Sequence, residues 1–259
     1  MSAAAKGLLG AKLFANLTRG FLISIGTFSV WWGMSTYPIF WHDSRLEHAA
    51  DSIINGERFK TEILQALLAN SDPEPAWARP ETLRSIAIIQ LSLVEQAIFA
   101  EKSKPPAPVI NQLSTSIRRA LSAAPADPLL WIMLFLSKRL EDDHSEEDFA
   151  CLRMSYHVGP HEGWVASRRN SIVLGRFTKL PQDLAEEAVT EFKDLVVSGY
   201  YNTAVRILLG PGWPIHELLL HRLEDAPEAA RRRFAQTADR LGYEIAVPGI
   251  VQADPRPWQ

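Results

Sequence analysis

The sequence contains one cysteine, Cys151, among 259 residues. A single cysteine excludes an intrachain disulfide, and no CxxC pair or zinc-ligand spacing is present. The GxSxG, P-loop and GxGxxG motifs are absent too, so nothing indicates a serine hydrolase, a P-loop nucleotidase or a dinucleotide-binding enzyme. Cys151 lies between Phe149 and Leu152 in a helical pattern, which favours a small core residue over a nucleophile.

Metal-ligand patterns are also scarce. His216 and His221 resemble a zinc protease motif, but residues five apart on a helix point ~140° away from each other. His157 and His161 flank a Gly-Pro turn without an evident fourth ligand. The acidic run over 141–148 lacks the spaced ligands and the glycine of a calcium loop. We therefore expect no metal, no cofactor and no catalytic residue, and these patterns favour a protein without catalytic activity over an enzyme.

Acidic residues are missing from the first 20 positions, which carry Lys6, Lys12 and Arg19. The whole chain nevertheless has a net charge of −3, so the remainder is acidic. Nucleic-acid binding requires a basic face that displaces counterions from phosphates. The charge distribution therefore argues against a nucleic-acid partner.

The segment Phe21–Trp41 contains no charged residue. A helix of that length spans ~30 Å, which matches the hydrocarbon layer of a bilayer. Arg19 precedes the segment, whereas Asp43 and Glu47 follow it, and the positive-inside bias therefore places the N-terminus in the cytoplasm. A cleaved signal peptide would end in small residues, and a soluble core helix rarely lacks charge for so long. We predict a cytoplasmic N-terminus (1–20) and a single-pass signal anchor (21–41).

Beyond the anchor, strand signals are limited to Tyr243–Val247, whereas 3.6-residue periodicity recurs throughout. Asp127 and Asp225 resemble N-caps placed before prolines. Proline is favoured in the first turn of a helix, and five prolines precede apolar periodic runs: Pro80, Pro128, Pro181, Pro214 and Pro227. The prediction is an all-α fold with a helical domain over 42–245 and a C-terminal tail over 246–259.

Two spacings indicate a repeat. Trp131 and Trp164 are 33 residues apart, and Pro125 and Pro160 are 35 apart, close to the 34-residue tetratricopeptide period. The match is incomplete, since Phe135 stands where this repeat has a small residue, and the period fades outside residues 109–177. We predict a degenerate tetratricopeptide-like stack of helical hairpins.

The region 152–177 concentrates unusual residues. One interpretation is a helix pair around a Gly-Pro turn, with Tyr156 and Trp164 as core rings. The other is a groove for a partner peptide or an acidic glycan, because arginine grips carboxylates and aromatic faces suit sugar rings. The candidate binding residues are Tyr156, Trp164, Arg168, Arg169 and Asn170.

The basic N-terminus, the single span, the helical domain and the segment LRMSYHVGPHEGWVASRRN together resemble VpsP-like proteins of bacterial polysaccharide biosynthesis. At residue level the resemblance covers about 117–181. It implies an accessory or scaffold protein of exopolysaccharide synthesis and export, with partners among the inner-membrane synthesis and export proteins and a periplasmic helical domain. It carries over no catalytic residue.

Two alternatives remain open. The first is a general envelope adaptor for cell division or secretion that binds peptides in its groove. The second is a hydrolase or transferase acting on cell-wall glycan, which is disfavoured because no paired-carboxylate motif is visible.

Overall fold

The computed structural model describes residues 3–70, 78–101, 104–140 and 146–250. In these ranges the regular structure is helical and contains no β-strand, which confirms the all-α prediction. Tyr243–Val247, the segment with the strand-like pattern, forms a loop after the last helix. Most of the predicted tail, residues 251–259, lies outside the described residues.

The chain divides into two compact units, Met1–Gln96 and Ala97–Gln259. The first unit contains α1 (Ala3–Ile54), α2 (Thr61–Ala69) and most of α3 (Pro80–Glu101). The last turns of α1 carry the buried residues Leu46, Ala49, Ala50 and Ile53 at three- and four-residue spacing. Such an apolar stripe on one helix face packs into a core.

Helix α1 is continuous over 52 residues, a length of roughly 78 Å at the standard rise per residue. The predicted boundaries at residues 20 and 41 both fall within it. Its large apolar side chains between Leu17 and Tyr37 are all exposed, from 47% for Ile25 to 74% for Met34. This length of α1 is therefore helical as predicted, and it is apolar on every side.

Among the described helices, one is long and apolar enough to cross a membrane, and it is Pro80–Ala100 in α3. Part of that stretch, 44%, is buried in the protein, and a soluble core helix passes the same test. No part of α1 within the described residues passes it. The N-terminal membrane span therefore stays a prediction.

In the second unit, α5 packs against α4 and α6, α7 packs against α8, and α9 contacts α8 and α11. Its helices are α4 (Ala107–Ala123), α5 (Pro128–Leu140), α6 (Glu146–Val158), α7 (Gly163–Leu174), α8 (Gln182–Val197), α9 (Tyr201–Leu209), α10 (His216–Arg222) and α11 (Glu228–Arg240). Three short 3₁₀ turns, Phe177–Lys179, Trp213–Ile215 and Leu223–Asp225, connect some of them.

The tetratricopeptide-like stack is not confirmed. Helices α5 and α6 pair, as do α7 and α8, but α9 and α10 have only 9 and 7 residues and do not continue the pattern. In a tetratricopeptide stack, bulky rings of one helix fill holes in its neighbour. Here Trp164 is 39% exposed, and the Trp131 indole instead donates a hydrogen bond to the Pro125 carbonyl at 2.8 Å. The tetratricopeptide-like arrangement therefore stays a prediction.

The proline signals locate helix starts well, but only one of the two aspartate caps forms. Asp127 Oδ1 accepts hydrogen bonds from the backbone N–H of Leu129 at 2.8 Å and of Leu130 at 3.3 Å, as an N-cap does. The Asp225 prediction is wrong. Asp225 ends a 3₁₀ turn, Ala226 is extended, and Pro227 occupies the cap position of α11 without a side-chain cap.

These two aspartates form a matched pair for a stability measurement. Asp127→Ala leaves two backbone donors of α5 without their acceptor, so we expect it to lower the free energy of unfolding by about 1 kcal/mol. Asp225→Ala removes no cap and should change it by less than about 0.5 kcal/mol. Urea unfolding of the full-length protein in uncharged detergent measures both, and equal losses would contradict the assignment of the cap.

Candidate functional site

Helix α7 buries a charged side chain on its apolar face. Its buried residues are Val165, Ala166, Arg169, Asn170, Val173 and Leu174, which form one stripe along the helix. Arg169 is fully buried and is the largest side chain with that degree of burial among the described residues. A buried guanidinium is stable only when its donors find acceptors, so its surroundings must supply several.

Acceptors from two helices surround Arg169. Its Nε donates to Glu191 Oε1 of α8 at 2.9 Å, and its Nη2 forms an ion pair with the same oxygen. Nη1 donates to the Ser155 carbonyl at 2.7 Å and Nη2 to the Gly159 carbonyl at 3.1 Å. Carbonyls at the end of a helix lack partners within it and carry partial negative charge. Arg169 therefore caps the C-terminal end of α6 and pairs with α8 simultaneously.

Neighbouring side chains extend the network. The Arg169 guanidinium lies 4.0 Å from the centroid of the Tyr156 ring, a cation–π contact, and the Tyr156 hydroxyl donates to Glu191 Oε2 at 3.3 Å. Asn170 Nδ2 donates to the Ala188 carbonyl at 2.7 Å. The Ser155 hydroxyl donates to the Pro128 carbonyl at 2.8 Å. The network thus joins α5, α6, α7 and α8.

Burial controls the ionisation of this cluster. It raises the pKa of Glu191 from 4.5 to about 7, against the lowering effects of the Arg169 charge and of hydrogen bonds from Arg169, Asn170 and Tyr156. Burial, together with the negative charge of Glu191, also raises the pKa of the Tyr156 hydroxyl well above its ordinary value. Tyr156 is therefore a neutral hydrogen-bond donor at physiological pH.

The turn between α6 and α7 depends on two glycines. A Cβ atom at Gly159 would lie 2.5 Å from Pro128 Cγ, and one at Gly163 would overlap the ring of Tyr200. Only glycine permits these close approaches without displacing a neighbour. Because Gly159 has no side chain, the turn packs closely against Pro128 at the start of α5. In this position the Gly159 carbonyl accepts the hydrogen bond from Arg169.

The structure separates the five predicted binding residues into two groups. Tyr156, Arg169 and Asn170 lie together in the core, where their donor groups are engaged by the protein. Trp164 is exposed and Arg168 is half-buried, one helical turn apart on another side of α7. The network holds helices together, and its side chains are buried. The binding role of the five residues stays a prediction.

The sequence patterns did not identify Glu191. Its position in the sequence could have indicated a buried carboxylate, however. Glu191 lies three residues after Ala188 and seven after Leu184, within the buried stripe of α8. A carboxylate on the apolar face of an amphipathic helix requires a buried cation. The adjacent helix carries Arg168 and Arg169, and either would have been a candidate partner.

The cysteine and the histidines considered as candidate nucleophile or metal ligands have contacts that suit a structural role. Cys151 is buried, and burial raises the pKa of its thiol, as expected of a core residue. His216 stacks on Trp213 at 4.3 Å between ring centroids, and His221 contacts Glu224. Within the described ranges, no group of three or more His, Cys, Asp or Glu side chains is arranged to hold a metal ion.

A double-mutant cycle tests the buried pair. Arg169→Met or Glu191→Leu alone leaves a buried polar group without its partner, and we expect each to lower the free energy of unfolding by about 3–5 kcal/mol. The double variant should lose substantially less than the sum, because it leaves neither group behind. Chemical unfolding of all four proteins gives the coupling. Additive losses would show that the two side chains do not interact.

The raised pKa of Glu191 predicts a specific pH dependence. Because its pKa is about 7 in the folded protein and 4.5 ordinarily, the folded state holds a proton between these values that the unfolded chain has released. This stabilisation is complete below pH 4.5 and is lost as the pH rises to about 7, a decline of roughly 1–3 kcal/mol.

Glu191→Gln keeps an acceptor for Arg169 but cannot titrate, so its stability should vary less between pH 5 and 7.5. Asp183→Asn is a suitable control, since Arg153 lowers the pKa of that exposed carboxyl and its effect appears only in more acidic solution. Urea midpoints across this pH range are the measurement. An unchanged slope in Glu191→Gln would rule out Glu191 as the titrating group.

No protein-family model, no curated protein and no solved structure matches this chain.

Proposed function

We propose that this protein is a single-pass, membrane-anchored accessory protein whose helical domain binds partner proteins and which catalyses no reaction. The observation that carries the proposal is the exposed apolar length of α1. Its large side chains from Leu17 to Tyr37 have no covering element among the described residues. Contiguous apolar surface of this size marks a membrane or protein contact.

The hydroxyl groups of the same segment are compatible with lipid as the surrounding medium. Each serine and threonine between Phe21 and Thr36 donates to the carbonyl four residues earlier, at 2.8–2.9 Å: Ser24, Thr27, Ser29, Ser35 and Thr36. Hydrocarbon offers no hydrogen-bond partner, so a spanning helix must satisfy its polar groups internally. This segment meets that requirement at every hydroxyl up to Thr36.

Charge asymmetry supports an orientation. The basic residues before Phe21 favour the cytoplasm, and the acidic residues after Trp41 favour the opposite side. The helical domain then lies in the periplasm of a bacterial cell, with α1 in the inner membrane.

The exposed side of α7 is the proposed partner surface. Trp164 and Arg168 stand one turn apart, and the exposed Tyr200 ring packs over Gly163 beside them. Tryptophan, tyrosine and arginine are the residues enriched where proteins bind one another, and the same side chains suit an acidic glycan. We place the partner on this surface and assign the buried Arg169 and Asn170 a structural role.

The resemblance to VpsP-like proteins supports the choice of pathway. It points to exopolysaccharide synthesis and export, and hence to the inner-membrane proteins of that machinery as partners. An enzymatic role has less support, because the carboxylate with the most strongly raised pKa, Glu191, is enclosed among its own hydrogen-bond partners.

Membrane retention and crosslinking test the proposal together. We expect the protein to resist extraction by alkaline carbonate and its helical domain to be digested only by protease on the periplasmic side. Crosslinking in cells should recover a polysaccharide synthesis or export protein. The Trp164→Ala/Arg168→Ala variant should reduce that recovery at least fivefold and lower polymer output.

Leu218→Ala/Arg222→Ala is a matched control, because it removes an apolar side chain and an arginine one turn apart on α10. It should leave crosslinking and polymer unchanged. Release of the protein by carbonate would refute the anchor. Recovery of division or secretion proteins instead would refute the polysaccharide role and favour the envelope adaptor.

A further inference from the structure

Helix α1 leads from the proposed membrane span, Phe21–Trp41, directly into the core of the first unit. It is one continuous helix, and its residues Leu46 and Ala49 are already buried. Leu46 lies five residues after Trp41, so about 7.5 Å of helix separates the two. The core of the first unit therefore begins immediately beyond the proposed span.

This separation is comparable to the thickness of one layer of lipid headgroups. A bilayer is ~30 Å thick in its hydrocarbon core and about 40–45 Å thick with its headgroups, which leaves roughly 5–8 Å on each side. Tilting α1 lowers the height of Leu46 above the hydrocarbon and cannot raise it. Pro38 lacks the amide hydrogen that helices use and favours a kink, but it precedes Trp41 and so does not lengthen this stretch.

Polar contacts at its two ends relate α3 to α1. At its start, Arg79 Nη1 pairs with Glu47 Oε1 of α1 at 3.2 Å. Near its other end, Gln96 Nε2 donates to the Phe59 carbonyl at 3.3 Å, and the Thr61 hydroxyl donates to Gln96 Oε1 at 2.9 Å. The start of α3 thus contacts α1 close to the proposed span, whereas its last turns contact the segment that follows α1.

These contacts correspond to different heights along α1. Glu47 lies about 9 Å beyond Trp41, whereas Ile54, the last residue of α1, lies about 20 Å beyond it. Phe59 and Thr61 come after that end. The Arg79 end of α3 is therefore proximal to the proposed span, and the Gln96 end is distal.

The charges at the proximal end suit a layer of lipid phosphates. Arg45 is exposed on α1, about 6 Å beyond Trp41. Arg79 forms ion pairs with Glu47 and Glu81 at 3.2 and 3.6 Å, which offsets the repulsion of these carboxylates from anionic lipids. Guanidinium groups bind phosphate oxygens with two parallel hydrogen bonds.

We propose that the first unit rests on the membrane surface, with the turns of α1 after Trp41 and the Arg79 end of α3 in contact with lipid phosphate groups. The inference rests on the proposed anchor, and it adds which end of the unit faces the bilayer. The partner of this end is a lipid surface. Helix α3 is then a core helix beside the membrane and not a second span.

Fluorescence quenching in vesicles tests this orientation with the full-length protein. Cys151→Ala removes the native thiol, and single cysteines at exposed positions then carry a small fluorophore. The vesicles consist of phosphatidylethanolamine and phosphatidylglycerol, with a nitroxide on either the headgroup or the acyl chain of added lipid. Glu81→Cys marks the proximal end, Glu62→Cys next to Thr61 marks the distal end, and Thr27→Cys marks the span.

We expect the headgroup nitroxide to quench the label at position 81 at least threefold more than the label at position 62. The acyl-chain nitroxide should quench only the label at position 27. Because Glu81→Cys removes one partner of Arg79, Ser44→Cys supplies a second proximal position on α1 and should behave as Glu81→Cys does.

An insertion tests whether α1 sets the height. Seven alanines added after Trp41 lengthen the helix by about 10 Å, or two turns. Headgroup quenching of the proximal labels should fall to the level of the label at position 62. Quenching at position 27 by the acyl-chain nitroxide should not change, since the span itself is intact.

Three results would overturn the proposal, and they are distinguishable. Equal or reversed headgroup quenching at positions 44, 81 and 62, with position 27 quenched from the acyl chain, refutes the orientation and leaves the anchor. Absence of quenching at position 27 refutes the anchor itself. Acyl-chain quenching at position 81 means that α3 enters the bilayer.

Discussion

The second unit is organised around the burial of Arg169. A guanidinium removed from water must keep nearly all its donors hydrogen-bonded, because each unpaired donor costs about 1–3 kcal/mol or more. That requirement fixes the carboxylate of Glu191 on the inner face of α8. It also directs the carbonyls of Ser155 in α6 and of Gly159 just after it toward α7 rather than toward solvent. One side chain thereby determines how three helices meet.

The same interaction accounts for the turn between α6 and α7. The Gly159 carbonyl reaches Arg169 only if the backbone passes close to Pro128, and a side chain at position 159 would prevent this approach. A purely apolar contact would tolerate sliding of α7 along α8. A buried ion pair does not, because a shift of one turn leaves both charges without a partner. The pair therefore specifies the register of the two helices.

The sequence predicts the elements of this fold better than it predicts their assembly. Proline at position 128 and the cap at Asp127 locate the start of α5, because both act through local backbone geometry. Asp225 fails as a cap because two residues intervene before α11, a detail that composition does not reveal.

The candidate site is harder to predict because it depends on contacts between distant residues. Residue type alone predicts Tyr156, Arg169 and Asn170 as candidates. Whether they face solvent or core depends on Glu191, 22 residues beyond Arg169. The spacing of Trp131 and Trp164 resembles a repeat because two helix pairs of similar length follow each other. Repeat spacing does not ensure the ring-into-hole packing that a tetratricopeptide stack requires.

The second unit buries charged side chains, whereas α1 in the first unit exposes apolar ones. This difference bears on the medium that surrounds α1. In the second unit a charged pair is buried and fully accommodated by the protein. In α1, tryptophans, phenylalanine and isoleucines are exposed while the hydroxyls between them bond to their own helix. Exposed apolar area costs about 25 cal/mol per Å² in water, and a helix apolar on every side gains little from a partner that covers only one face. A medium that surrounds the helix, as lipid does, relieves the whole cost, and this is the burial pattern that the proposed membrane anchor requires.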